Sequence, residues 1–273
     1  MKKHIVATIL ILFAAVSVRA QTGSSEERRQ IRKENNEVWQ AQAKYAFGIH
    51  TGLDIGGAVP FGGMSGMKMR AVPRLRPQLG VSFTSYPIHR LTATVEVTYK
   101  QVGIDAEAWV SGQQFTLPGD PPATTMFRGT ADVSMQFSML EIPVYAGYSF
   151  EDGRNKVFFG GYYSRIFKAR FNTTPLKGMV ENPNDSSAPP VLVTPDNPVP
   201  SDVMPAFNSY LGNWDAGLLA GYQLQIFPRI DLSARFSMGL KDIFKRGNNY
   251  LEYKMLHLRG SLTLSYSFLR YTK

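Results

Sequence analysis

The chain has 273 residues, a formal net charge of +9, 44% hydrophobic residues and no cysteine. The absence of cysteine excludes disulfides, thiolate metal sites, cysteine nucleophiles and a lipoprotein anchored through an N-terminal cysteine. Beyond the N-terminus there is no run of 18 apolar residues, so a helical inner-membrane protein is excluded.

The first twenty residues have the three parts of a secretory signal peptide. Lys2 and Lys3 precede an apolar run over residues 5–18, and Val18 and Ala20 supply the small residues of a cleavage site. We therefore predict a signal peptide over 1–20, cleaved after Ala20. Cleavage lowers the net charge from +9 to +6. Because the chain is exported, the charge indicates attraction to outer-membrane lipid and lipopolysaccharide and no nucleic-acid partner.

Residues 21–44 form a polar leader that differs in composition from the rest. Ser24 followed by Glu27 is a capping-box pattern, and the stretch contains helix formers but little apolar surface. We predict a short periplasmic helix or a disordered leader. A helix that docks on the barrel mouth through Trp39 is the alternative.

From Tyr45 onward the pattern has a period of two residues. Strict alternation of apolar and polar residues is found in five segments: 45–55, 91–99, 214–226, 230–240 and 256–268. Each of these segments is predicted to be a strand with one face in an apolar medium and the other in a polar one.

Three further segments are less regular: 78–84, 132–150 and 157–171. In the second, the apolar residues are odd-numbered as far as Met139 and even-numbered from Ile142, so we predict a β-bulge just before Pro143. In the third, two apolar series compete for the same face: Phe158, Tyr162 and Ile166 against Val157, Phe159 and Tyr163.

Long and short connections alternate along the chain. The short turns lie near 86–89, 151–155 and 227–229, and the long loops are predicted at about 57–75, 104–129, 172–212 and 241–252. This asymmetry is typical of membrane barrels, whose periplasmic turns are short and whose extracellular loops are long. The sequence therefore predicts an all-β fold, an eight-stranded antiparallel up-and-down transmembrane β-barrel over residues 45–273.

A soluble lipocalin-like barrel, with the apolar face inward, is the main structural alternative. It is disfavoured because the polar face is rich in glycine, serine and threonine and poor in lysine. Aromatic residues also lie at the strand ends, where membrane interfaces are expected: Tyr99, Tyr148, Trp214, Tyr222, Tyr266 and Phe268.

Five segments resemble strands of the PorT-like outer-membrane β-barrel family. They are VEVTYKQVG at 95–103, MLEIPV at 139–144, FGGY at 159–162, AGLLAGY at 216–222 and ARFSMGL at 234–240. The resemblance implies an eight-stranded barrel in a Gram-negative outer membrane, in a family of which some members assist secretion. The loops depart from the family, notably the proline-rich segment 172–212.

Candidate chemistry rests on few residues. His50, His89 and His257 are the only histidines of the mature chain, and His50 and His257 lie on terminal strands that pair on closure. They could share a metal ion, or act beside an acid or a serine in a lipid-modifying enzyme, with three candidates: Asp54, Glu96 and Ser261. Because no catalytic or ligand motif accompanies them, we predict no catalytic, cofactor or metal site and no enzyme.

The inward-facing charges have a structural interpretation. Seven of them come from five strands: Asp54, Glu96, Lys100, Asp215, Asp231, Arg235 and Arg259. Because eight strands leave a lumen that side chains fill, we predict that these charges pair and close it. A narrow pore is the alternative.

The segment 172–212 holds eight of the seventeen prolines, and both a contact with a secretion or surface-protein partner and a passive shield remain open. The expected function is that of a non-enzymatic barrel presenting loops, accessory to secretion or envelope assembly.

Overall fold

The computed structural model describes residues 43–61, 68–88, 90–117, 123–150, 154–181, 189–194, 211–227, 229–245 and 254–272. The predicted signal peptide, and the predicted leader apart from its last two residues, lie outside these ranges. None of the helices within them is long and apolar enough to cross a membrane.

The described residues form nine strands: β1 Ala43–Phe61, β2 Lys68–Ile88, β3 Leu91–Leu117, β4 Ala123–Ser149, β5 Asn155–Glu181, β6 Val191–Val193, β7 Trp214–Phe227, β8 Ile230–Gly239 and β9 Lys254–Thr272. Eight of them form an antiparallel ring in chain order, closed by the pairing of β1 with β9, and the short β6 pairs with β5 outside the ring. The predicted eight-stranded barrel is confirmed.

The wall has an apolar outer face and a polar inner face over the half of the barrel nearer the short turns. In β3, residues 91, 93, 95, 97 and 99 are exposed and apolar, whereas residues 92, 94, 96, 98 and 100 are buried and polar or charged. Since the outward residues would face lipid, this alternation is that of a membrane barrel and not that of a lipocalin.

Several strands extend well beyond their predicted ends. β3, β4 and β5 each have 27 residues. Strand structure covers parts of the segments predicted as loops: 57–61, 68–75, 104–117, 123–129 and 172–181. Several of these segments carry exposed polar residues, such as Arg70, Glu107 and Arg128, which the sequence pattern did not distinguish from loops. Their backbones are nevertheless paired with the neighbouring strand.

The prediction of a bulge before Pro143 in β4 is wrong. A bulge lies at this height of the wall, but it is in the neighbouring strand β5. In β4 every odd residue from Met135 to Tyr145 is buried, so the direction of the side chains does not change. The register shift near Met139 leaves Phe167 of β5 as the unpaired residue. The apparent slip arises because the interior itself changes from polar to apolar at Met139.

The two competing series in β5 lie on opposite faces of the barrel wall. Phe158, Tyr162 and Ile166 are buried inside the barrel, whereas Val157, Phe159 and Tyr163 lie exposed on the outer wall. Alternation could not decide between them because both sides of this strand meet apolar surroundings.

The far end of β1 lies against β3 at the end of the barrel away from the short turns. Gly56 has a φ of 127° and pairs with Gly103 of β3, so β1 leaves β2 at this point. A Cβ atom at Gly57 would lie 2.8 Å from the side chain of Ile104, so only glycine permits this close approach. β9 follows β1 as far as the pair of Phe61 with Lys254, so the ladder between these two strands continues past Gly56.

Candidate functional site: a filled bore and an extended sheet

The centre of the bore is occupied by a group of ionised side chains, here called the charge network: Asp54, Glu96, Lys100, Glu141, Arg235 and Arg259. Glu141 is fully buried and contacts two cations. Lys100 Nζ lies 2.8 Å from its Oε1, and Arg259 lies 2.7 Å from its Oε2. Lys100 also donates a hydrogen bond of 3.1 Å to Asp54. These contacts join four strands across the lumen.

A second pair lies nearer the short turns. Arg235 donates to both carboxylate oxygens of Glu96, at 2.9 and 3.0 Å. The hydroxyl of Tyr145 donates to the same carboxylate at 2.5 Å. The guanidinium of Arg235 also lies over the rings of Tyr145 and Phe158, 5.2 and 5.6 Å from their centroids. A charge-assisted, ring-covered pair of this kind is held in one geometry.

All seven inward charges predicted from the sequence are buried, which confirms that part of the prediction. Glu141 was not among the predicted inward charges, although it lies within the segment 139–144 that resembles the PorT-like family. The signal that would have found it is alternation, because Glu141 directly precedes the outward-facing Ile142 and therefore lies on the inner face.

The two interior histidines are not neighbours. His50 is opposite Ser265 and His257 is opposite Ala58 in the β1–β9 register, so the two histidines lie roughly 26 Å apart along the wall. The prediction that closure could bring them together is therefore wrong. The described residues contain no group of three potential metal ligands, and His89 lies outside them.

Each histidine has a local role in packing. His50 Nε2 lies 2.9 Å from the hydroxyl of Thr98 and 4.0 Å from Glu96. His257 is fully buried with its ring edge-on to Phe137, 4.8 Å between centroids, and neither of its nitrogens has a hydrogen-bond partner among the described residues. Neither lies beside Ser261, which is opposite Asp54 on β1. The geometry of a hydrolase triad is absent from the described residues.

On the side of the charge network away from the short turns, the bore is filled by an apolar cluster, here called the apolar plug. Its members are Ala58, Val102, Ile104, Phe127, Ala131, Met135, Phe137, Met139, Ile166, Phe171, Val193, Leu211, Ile243, Phe244 and Met255. It combines inward residues of the long strands with residues of β6 and of the segments that flank β7 and β8. Since the plug lies over the charges, the described interior is occupied on both levels.

The outer face of β2 to β5 changes character beyond the apolar band. We call this part the extended sheet: 68–74, 101–117, 123–138 and 168–181. Asp105 accepts a hydrogen bond of 2.9 Å from Ser134 and forms an ion pair with Arg74. A groove of about 460 Å³ on this face is lined by charges of both signs, including Arg70 and Glu107. This polar surface is suited to water and not to lipid.

Comparison with protein families identifies the class of protein. The model of a family described as outer membrane protein beta-barrel domain matches residues 25–245. The chain belongs to this family, and its place is therefore the outer membrane of a Gram-negative bacterium. No curated protein matches it by sequence.

Several solved outer-membrane proteins are similar to the chain. Neisserial surface protein A is 14% identical, with 81% of this chain and 97% of that protein covered and a TM-score of 0.36. Ail of Yersinia pestis, solved with the heparin analogue sucrose octasulfate, is 9% identical, with coverages of 82% and 99% and a TM-score of 0.36. OprG of Pseudomonas aeruginosa is 11% identical, with coverages of 84% and 98% and a TM-score of 0.31.

Proposed function

We propose that the chain is a non-enzymatic outer-membrane barrel with a closed bore, which presents its extended sheet to a partner protein at the cell surface. The length of three strands carries this proposal. A membrane strand needs about 9–11 residues, whereas β3, β4 and β5 each have 27. Most of their paired length therefore lies outside the lipid, where its use is in contact with other molecules.

The topology supports an extracellular position for the extended sheet. The short turns, the start of β1 and the end of β9 share one end of the barrel. In outer-membrane barrels the short turns face the periplasm. The opposite end, with the extended sheet and the proline-rich segment 172–212, then faces outward.

A partner surface is supported near the tip of the sheet. Trp109, Met179 and Leu192 are large apolar side chains that lie exposed, and Arg128 and Lys177 lie exposed beside them. Met179 is opposite both Arg128 and Leu192 in the strand registers. Aromatic, methionine and arginine side chains are enriched in protein interfaces. The surface suits a protein with an apolar centre and an acidic rim.

In-cell photocrosslinking tests this proposal. A photoreactive residue at Met179 should give a discrete crosslinked product, whose partner is identified by mass spectrometry. The same residue at the lipid-facing position Val81 is the matched control. The substitution Trp109→Ala should weaken crosslinking from Met179 without changing the folded fraction. Failure of Met179 to crosslink any protein beyond the Val81 background would contradict the partner role.

The charge network and the apolar plug argue against the pore, and the separation of His50 from His257 argues against the lipid-modifying enzyme. Lipid A from cells that carry His50→Ala and His257→Ala together should have the mass profile of the wild type. A changed acyl or phosphate pattern would support the alternative that the protein is a lipid-modifying enzyme.

The resemblance to PorT-like barrels supports, for the partner, a component of secretion or envelope assembly.

We also propose that residues 1–20 are a signal peptide that is cleaved after Ala20. N-terminal sequencing of the protein from outer membranes should begin at Gln21, and a start at Met1 would contradict cleavage.

A further inference from the structure

Four cations lie together on the outer wall, directly beyond the apolar band of β5. Arg165, Lys168 and Arg170 are exposed residues of that strand. Lys241, which follows β8, has its Nζ 4.2 Å from the ring centre of Trp214 and 3.1 Å from the carbonyl oxygen of that residue. Arg165 is opposite Trp214 in the register, so the four side chains form one group, here called the basic cluster.

The β-bulge is what places most of this cluster outside. In an unbroken strand, Lys168 and Arg170 would have the parity of Ile166, whose side chain is buried in the apolar plug. Phe167 has no partner in β4, and the residues after it exchange faces. As a result Lys168 and Arg170 point outward with Arg165. Phe167 itself is 65% exposed between them.

Among the described residues, no acid lies opposite Arg165, Lys168 or Arg170 in the strand registers. Across the strand, Arg165, Lys168 and Arg170 are opposite Leu140, Ser138 and Gln136 respectively. Among the described residues no acid forms an ion pair with Arg165, Lys168 or Arg170, and Asp105 on the same face is paired with Arg74. Like charges on one face of a strand repel one another. The cluster therefore has the electrostatics of a site for an external anion.

The depth of the cluster indicates which anion. Tyr163 and Trp214 stack with ring centroids 6.1 Å apart, and aromatic residues of this kind mark the level of lipid headgroups. The basic cluster lies at this level on the long-strand side, and Phe167 projects among its charges. Arginine and lysine are the side chains that bind phosphate oxygens.

We propose that the basic cluster binds the phosphorylated headgroup of a glycolipid of the outer leaflet. In this site Arg165, Lys168, Arg170 and Lys241 contact the phosphates, while Phe167 and Trp214 pack against the acyl chains and the sugar. The inference rests on the outward orientation of the extended sheet given above. It makes specific the attraction to lipopolysaccharide that net charge alone predicted.

Titration with fluorescent bis-phosphorylated lipid A in detergent micelles tests the site. The substitutions Arg165→Gln, Lys168→Gln and Arg170→Gln are combined in one variant. The matched control combines Arg70→Gln, Arg128→Gln and Lys177→Gln, which remove the same charge from the same outer face farther from the lipid. The heat-dependent gel mobility of the folded barrel verifies that both variants fold.

We expect the site variant to bind lipid A about tenfold more weakly than the wild type, since three charge-assisted contacts are lost. The control should stay within about twofold, because its net charge is the same but its cations lie elsewhere. Equal affinities of the site variant and the wild type would overturn the proposal, as would an equal loss in the control.

Two further arms identify the source of the phosphate. Lipid A with both phosphates removed should bind the wild type as weakly as intact lipid A binds the site variant. Inorganic phosphate in large excess should displace little lipid A, because it lacks the acyl chains that Phe167 and Trp214 contact. Full displacement by inorganic phosphate would show a site for free anions and overturn the lipid assignment. Since none of these measurements uses a partner protein, their outcome is independent of the crosslinking experiment.

Discussion

Glu141 contacts Lys100 and Arg259 at once in a position with no access to water. Its substitution by glutamine keeps the shape of the side chain but leaves two buried cations short of their common anion. We expect Glu141→Gln to lower the free energy of unfolding in lipid vesicles by about 3–5 kcal/mol. Urea unfolding followed by tryptophan fluorescence measures this loss.

The exposed acid Glu107 provides the control for this measurement. Its carboxylate lies on the solvated outer face of the extended sheet, so Glu107→Gln should change stability by less than about 1 kcal/mol. Equal effects of the two substitutions would mean that the charge network does not hold the wall together.

His257 is the opposite case among the buried polar residues. Both of its ring nitrogens lie without a hydrogen-bond partner among the described residues, and the ring rests against Phe137. Because an apolar side chain of similar size loses no hydrogen bond there, His257→Leu should be neutral or stabilising in the same urea experiment. A loss above about 2 kcal/mol would show that the imidazole is bonded in the membrane, for example through interior water.

At the scale of the element, β4 shows where the alternation of apolar and polar residues identifies the lipid-facing side of a strand and where it does not. The segment was correctly predicted as a strand, since its polar and apolar residues alternate on both sides of the apparent slip near Met139. The lipid-facing side could be assigned only where the bore is polar, as for Ile142 and Val144. From Met139 toward the end of the barrel away from the short turns, the bore is apolar and the outer face is in water. The apolar residues Met135 and Phe137 therefore point inward. Hydrophobicity alone cannot distinguish lipid from an apolar plug.

A cysteine scan of β4 tests this change of lining, and the chain offers a background without cysteine. In the folded barrel, Gln136→Cys should react with a charged maleimide, because it lies on the outer face beyond the apolar band. Phe137→Cys should be protected within the apolar plug. Val144→Cys should react only with a lipid-soluble reagent. Labelling of Phe137→Cys as fast as Gln136→Cys would place the plug outside the bore.

At the scale of the whole molecule, turn chemistry and spacing predicted the number of strands and their antiparallel order. They also predicted that β1 starts and β9 ends at the same end of the barrel. The contacts across the bore could not, because they depend on the stagger between β1 and β9. That register puts His50 opposite Ser265 and His257 opposite Ala58, and no local pattern specifies it. The approach of β1 to β3 likewise depends on the backbone conformation of Gly56, which periodicity does not reveal.

The closed ring has a direct consequence for stability in detergent. Every strand of the ring has a partner on both sides, so its backbone offers no open edge to detergent or lipid. We expect the unheated protein to run faster on SDS gels than the boiled protein. Identical mobility, with purification in the soluble fraction, would contradict the membrane barrel and favour the lipocalin-like alternative.

The claim that the bore is closed is tested most directly by single-channel recording in planar bilayers. Refolded protein whose gel mobility verifies the barrel should insert without discrete conductance steps, because the charge network and the apolar plug occupy the lumen. Reproducible conductance steps in the wild-type protein, at protein levels that give single insertions, would contradict the account and make the barrel a pore.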